Sequence, residues 1–582
     1  MRRALFVWVL VTVGGFVAGC LSPPAADEGV LRVALSREPT TWNGLLAADY
    51  PTLVVTDQLH APLIRLNQET QQMEPALAES WEFSEDGGEI VFHLRDGVRF
   101  SDGESFTADD VAFTFRVLHD PRVASQLKDS AVIDGKNIVA RVIDEITVGF
   151  RLPHRTASVE RIFDSIRILP EHRLAESLAA GTLAADTGLG APIENIVGLG
   201  AFRLREHVPG QRIVLERNPY YFRSGDGEQY PRLSGMVFDV VPDTNAQVLR
   251  FRAGELDLLV EPIAPEAFRE LRRESLEGVI LNDLGPSMVS ERLWFNLNPA
   301  SPIDAHKKKW FEDVRFRRAV SLAIDRENMA RVVFGGLASV ASGPVSPANH
   351  FWRDKSIQPM KRDVDKARRL LVDAGFRWED EKLCDRDGNP VRFTIITNAG
   401  SGKRHREGAF IQEDLKDLGI EVVLAPIEGG ALLARITGTF DYDACLLGWT
   451  QTDPDPSAEM ALWLSRAPLH LWHPAQSQPA TEWEARIDHL MESQLTSTDD
   501  EHRQACYHEV QRIVLENLPL LDLVVPHALV GYHAGLRGVR ATPFGHVLWN
   551  SDELFLERGG ERGENPKIQI VTEVTDPGVE QE

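Results

Sequence analysis

The stretch Gly448–Pro456, GWTQTDPDP, places an indole, two carboxylates and several hydrogen-bonding side chains side by side. A proline follows both Asp453 and Asp455. Proline fixes its own φ and biases the residue before it toward extended geometry. The segment therefore reads as a stiff loop that holds the flat face of Trp449 next to acids. Such a loop suits a ligand with an apolar surface and a polar or cationic group. The apolar run 444–447 just before it reads as a short buried strand that anchors the loop.

Other chemistry is hard to find. The chain has no GxSxG elbow, HExxH pair, GxxxxGK[ST] loop or GxGxxG after a strand. The sequence GLGAF (198–202) lacks a third glycine and a following helix. Seventeen histidines are scattered without ligand spacing. Cys384, Cys445 and Cys506 lie about sixty residues apart with no CxxC among them. One disulfide stays open as a possibility, and Cys445, inside the apolar run, reads as a buried free thiol. No enzyme activity, cofactor or metal is expected.

The elements that must hold such a loop need more than one core, because 582 residues exceed what a single core serves. Apolar residues at 43% and charged residues at 26% are ordinary for a folded soluble body. The net charge of −25, or −27 once the two positive charges of Arg2 and Arg3 leave with a leader, opposes nucleic acid and anionic lipid as partners. The leader itself is legible: two arginines, an apolar run from Ala4 to Ala18, then Gly19 and Cys20. VAGC (17–20) resembles a bacterial lipobox, which would put a lipid on Cys20 and make residues 1–19 a signal peptide. Residues 20–29 read as a tether, and the segment from Gly559 as a loose C-terminal extension.

Between the ends, strands and helices alternate, which argues for α/β lobes. LRVAL (31–35) and ITVGFRL (146–152) read as strands, and residues 90–100 as a strand, a turn at Asp96-Gly97 and further strand. Thr107 caps a helix whose buried stripe is Val111, Phe115 and Leu118, with Asp109 and Asp110 suited to its positive end. Asp313 and Asp363 cap two more, the second stopping at Gly375. FIQEDLKDLG ends a helix that begins near Arg406 and precedes the strand 420–426. A long helix over EHRQACYHEVQRIVLEN stops before Pro519.

Several of these segments occur together in one family. EPALAESWEFSEDG (74–87), IVFHLRDGVRFSDGESFTADDVAFTF (90–115), VGLGAFRL (197–204), IVLERNPYYF (213–222), LRFRAGELDLL (249–259), LWFNLN (293–298), FEDVRFRRAVSLAIDREN (311–328) and VDKARRLLVDAGF (364–376) are collinear with it. The chain resembles a family 5 extracellular solute-binding protein, the peptide/nickel/opine class that feeds ABC importers. The resemblance implies a two-lobed, type II periplasmic-binding-protein clamp of the cluster C kind, with an extra subdomain in the first lobe. Residues 30–50, 196–285 and 521–558 would form the first lobe, 51–195 the extra subdomain and 286–520 the second lobe. It also implies a monomer, held to the membrane only by its lipid and facing the periplasm or cell exterior. That monomer would capture a small, peptide-like solute and deliver it to a permease driven by a separate ATPase subunit. A solute sensor, a peptide-holding chaperone or a binder of a non-peptide solute would use the same clamp.

In peptide-binding relatives the tryptophan of this loop lines the pocket, and an aspartate three residues later pairs with the ligand's α-ammonium. Here Trp449 matches, Thr452 stands at the aspartate position, and Asp453 and Asp455 follow. Some relatives supply an arginine for the peptide carboxylate, near the position that Asn398 occupies. The resemblance therefore nominates Trp449, Thr452, Asp453, Asp455 and Asn398 as ligand contacts. Lys403, Arg404 and Arg406 read as a solvated helix start. The segment 469–491, with Trp472, His473 and Trp483, reads as a rim loop packing its own aromatics or as an extension of the pocket floor.

Overall fold

A computed structural model describes residues 29–557 apart from 86, 134, 154–158, 226 and 475. The leader, Cys20, the tether up to residue 28 and the extension from residue 558 lie outside the described residues. The first sheet carries Val30–Leu35, parallel to Gly235–Val240, followed by Arg212–Arg217 and Phe202–Val208 in antiparallel order. A second, antiparallel sheet runs Ala78–Phe83, Glu89–Leu94, Thr147–Arg151, Val139–Asp144. The helix Ala108–His119 lies over it. Thr107 and Asp110 form a reciprocal cap at its start, which satisfies two otherwise orphaned N–H groups. Phe92, Phe115, Phe150 and Phe163 close the core beneath it, with Phe92 and Phe163 ring centres 4.6 Å apart. Residues 95–106 return by turns, with only a single bridge between Arg99 and Ser105, so the second half of the expected strand 90–100 is loop.

The third sheet is the larger one. Its order is Glu421–Ile427, Arg392–Asn398, Ala444–Thr450, Val289–Phe295, Leu520–Asp522. The first three strands are parallel; Val289–Phe295 runs antiparallel to both of its neighbours. Each face is covered by its own apolar core. One core includes Phe295, Phe316, Leu371 and Ile411, beneath the helices Val314–Ala323, Val364–Asp373 and Gly402–Lys416. The other includes Trp294, Cys445, Trp463, Trp472 and Tyr507, beneath Glu482–Thr496 and Asp500–Asn517. Asp313 and Asp363 cap their helices as expected, by accepting backbone N–H bonds from Arg315 and Lys366.

The chain crosses between the sheets twice. Val279–Pro286 leads into Val289–Phe295, and Leu520–Asp522 leads back into Val524–His533. These crossings are paired to each other: Val279–Pro286 is antiparallel to the later part of Val524–His533. The first residues of that same strand pair with Ala338–Val340. A continuous strand thus belongs to both halves. Val279–Pro286, Val524–His533 and Ala338–Val340 form one three-stranded sheet. Cys384, Cys445 and Cys506 are all buried free thiols, so no disulfide joins them. Among the described residues no helix is long and apolar enough to cross a membrane.

Candidate functional site

The strand expected over 444–447 extends to Thr450, so Gly448 and Trp449 stand on the sheet rather than in the loop. Register then assigns their faces. Gly448 is opposite Glu291 and Trp449 opposite Ser290, and directly opposed residues in an antiparallel pair share a face.

On the Gly448 face lies a buried charge cluster. Glu291 is fully buried and accepts from Lys403 Nζ at 2.5 Å and Arg404 Nε at 3.0 Å. Burial pushes the Glu291 carboxyl up, but the two cations outweigh it and hold the group below its ordinary range. A Cβ at position 448 would meet the Arg404 guanidinium and the Glu291 carboxylate, so a larger residue there would push this pair aside. Arg404 Nη1 also donates to Asn398 Oδ1 at 2.9 Å. One turn further on, the Glu407 carboxyl is buried with neither oxygen hydrogen-bonded among the described residues. Burial, reinforced by the Glu291 charge, pushes it well above the usual carboxylate range. Lys403 and Arg404 are therefore not a solvated helix start. The helix begins at Gly402, capped by Ser401, and its first turn faces inward onto Glu291. Arg406 alone fits that expectation: it is half exposed and pairs with the exposed Glu266 on the helix Pro265–Glu274.

On the opposite face Trp449 is half-buried. Its indole Nε1 donates to Glu459 Oε1 at 3.0 Å. Glu459 is saturated by neutral donors: Gln451 Nε2 at 3.0 Å, Tyr507 Oη at 2.7 Å and Trp463 Nε1 at 3.4 Å complete its set. The strand-mate Ser290 has a buried Oγ without a partner among the described residues.

The two aspartates part company. Asp455 is 4% exposed and turned into the second half of the molecule. It caps the turn Pro456–Glu459 and takes Arg503 Nη2 at 2.7 and 2.8 Å, while the Arg503 guanidinium lies 4.5 Å from the Trp352 ring centre. Its nomination as a ligand contact is corrected on this ground: its carboxylate is spent on an internal buried pair. Asp453 points the other way and meets Arg161 of the helix Val159–Ser165, with Nη1 at 2.8 Å from Oδ1. Thr452, between them and Trp449, is exposed. The segment 469–491 packs its own aromatics. Trp472 is fully buried, 6.0 Å from the Trp483 ring centre and 3.9 Å from that of His470.

Of the nominated residues only Asp453 reaches another part of the molecule by an ion pair, to Arg161 of the helix Val159–Ser165; Asn398 is held by Arg404, and Trp449 by Glu459. Sequence reasoning missed Arg161, Glu291, Arg404 and Glu459. One signal was present: Glu291 and Arg292 interrupt an otherwise apolar strand, VSERLWF, and a charge inside such a strand needs a partner.

Comparison with known proteins gives this geometry a setting. The family described as bacterial extracellular solute-binding proteins, family 5 Middle, matches residues 72–469. The oligopeptide-binding protein AppA of Bacillus subtilis (strain 168) is 27% identical over 577 residues, covering 94% of this chain and 98% of its own. Di/tripeptide-binding protein 2 of Pseudomonas aeruginosa (strain UCBPP-PA14) is 28% identical over 486 residues, 81% of this chain and 84% of its own. Among solved structures, the ABC transporter substrate-binding protein CtaP of Listeria monocytogenes superposes with a TM-score of 0.74 at 25% identity, over 91% of this chain and 99% of its own.

Proposed function

The chain belongs to the bacterial extracellular solute-binding proteins of family 5, and from that premise we propose that it takes up an oligopeptide or related small solute between its two lobes and hands it to an ABC permease. The observation that supports this reading is Trp449, half-buried near the end of the strand Ala444–Thr450, with the loop that follows it tied by Asp453 to Arg161 of the helix Val159–Ser165. A half-buried indole there offers an apolar platform, and interlobe clefts are favoured ligand sites. The oligopeptide and di/tripeptide descriptions of its relatives support peptide as the ligand class. In this reading a lipid on Cys20 holds a monomer outside the cytoplasmic membrane, and a separate ATPase drives the permease. The protein binds and releases its solute without changing it.

Native mass spectrometry of the full chain, released gently from membranes in mild detergent, tests the ligand class. Added masses that fragment as peptides are expected; a single non-peptide mass would remove the peptide assignment. Trp449→Ala is expected to weaken binding of the recovered ligand at least tenfold in a chain that still folds, with some loss of stability because Glu459 Oε1 gives up its indole donor. Unchanged affinity would take Trp449 out of the site.

A further inference from the structure

Asp453 is not waiting for a cation. Its carboxylate receives Arg161 Nη1 on both oxygens, at 2.8 and 2.9 Å, and also accepts the backbone N–H of Asp455 at 2.7 Å. The residues lie 292 positions apart, one on the strand-end loop of the second lobe and the other on a helix beside the second sheet. Their side chains are 20% and 22% exposed, enough burial for the pairing to matter and for either charge alone to be costly. The other acids near this loop are also satisfied: Asp455 by Arg503, and Glu459 by the donors of Trp449, Gln451, Trp463 and Tyr507. Asp164, the remaining acid near Arg161, accepts the backbone N–H of Leu66 and lies in the field of Arg167. An incoming ammonium would therefore find Asp453, Asp455, Glu459 and Asp164 each already partnered among the described residues.

We propose that Arg161 is the resident counter-cation of Asp453, bridging the cleft in place of a ligand's α-ammonium, so that this site selects solutes without regard to, or against, a free amino terminus. The inference rests on the solute-binding reading above and refines which members of the ligand class it admits. Two physical consequences follow. A ligand that brings an ammonium must displace a guanidinium already held on both carboxylate oxygens, which removes the usual gain from that contact. Closure, in turn, draws on an interlobe ion pair that exists without ligand.

The test has two arms on the full chain in detergent. In the first, hydrogen exchange of the ligand-free protein is followed across residues 448–456. Arg161→Gln should speed exchange there at least fivefold, and the charge swap Arg161→Asp with Asp453→Arg should restore protection. Unchanged exchange in Arg161→Gln means no bridge forms and overturns the proposal. In the second, calorimetric titration compares the tripeptide Ala-Leu-Ala with its N-acetylated form. The parent should bind the two within threefold of each other or favour the acetylated one, and Arg161→Gln should favour the free amine at least tenfold. A parent that loses tenfold on acetylation overturns the proposal, because Asp453 would then be reading the ligand's ammonium. If the parent binds neither peptide, the peptide reading falls, and the exchange arm alone decides Arg161: loss with rescue upholds the bridge, and no change rejects it.

Discussion

Asp455 and Arg503 illustrate how a residue next to a ligand site can serve only the fold. Both side chains are nearly inaccessible, and one guanidinium nitrogen contacts both carboxylate oxygens. Removing one partner strands a buried charge, which costs about 3–5 kcal/mol. Asp455→Ala should therefore lower unfolding stability by about that much in urea titrations. Asp455→Ala with Arg503→Met should recover part of the loss, since an apolar replacement leaves no orphaned charge. Equal losses in the single and double variants would show that the pair is not what stabilises this corner. The same scale shows what sequence could and could not reveal. Thr107, Asp313 and Asp363 were legible as caps because capping is settled within four residues of chain. Glu291 with Arg404, and Asp453 with Arg161, were not. Their partners lie 113 and 292 positions away, and nothing local singles out one arginine among many.

Elements were read well where their periodicity is strong and less well where a neighbour decides their length. The strand Ala444–Thr450 continues through Gly448 because Val289–Phe295 offers it a full antiparallel register. A glycine followed by a proline-rich run gives no local hint of that. The helix Gly402–Lys416 starts earlier than its composition suggests, because Ser401 caps it and Gly408 lets it settle on Leu424 of the adjacent strand. The helix Glu482–Thr496 yields a prediction at this scale. Its cap Thr481 and the preceding loop converge on Glu484, which accepts from Trp472 Nε1, Gln476 Nε2 and Thr481 Oγ1 and contacts His470 Nε2. Burial opposes the charged form, but these contacts outweigh it and lower the carboxyl from 4.5 to about 2. A group whose pKa is lower folded than unfolded stabilises above its unfolded value and loses that contribution as pH falls through the folded one. The expected contribution is about 3 kcal/mol near neutrality, draining away between pH 4.5 and 2. Glu484→Gln should cost about that much at pH 7, and its deficit against the parent should shrink across that window in urea midpoints. A deficit that stays constant with pH would assign the effect to packing instead.

At the scale of the whole molecule, the sheets have separate cores but share Val524–His533, whose first residues pair within one half and whose later residues pair within the other. A solute seated on Trp449 and facing the helix Val159–Ser165 would touch both halves at once, so its binding energy would stabilise both against unfolding. At a hundredfold excess over Kd a ligand bound only by the folded protein adds about 2.7 kcal/mol. Scanning calorimetry of the ligand-free chain should then resolve a lower and a higher transition, because the two halves are joined by two strands rather than by one continuous core. Saturating ligand should raise the lower transition most and draw the two together, since neither half can melt without releasing the solute. A ligand that moves one transition and leaves the other in place would be bound to a single lobe, and the interlobe site would have to be given up even if Trp449 still proved to contact it.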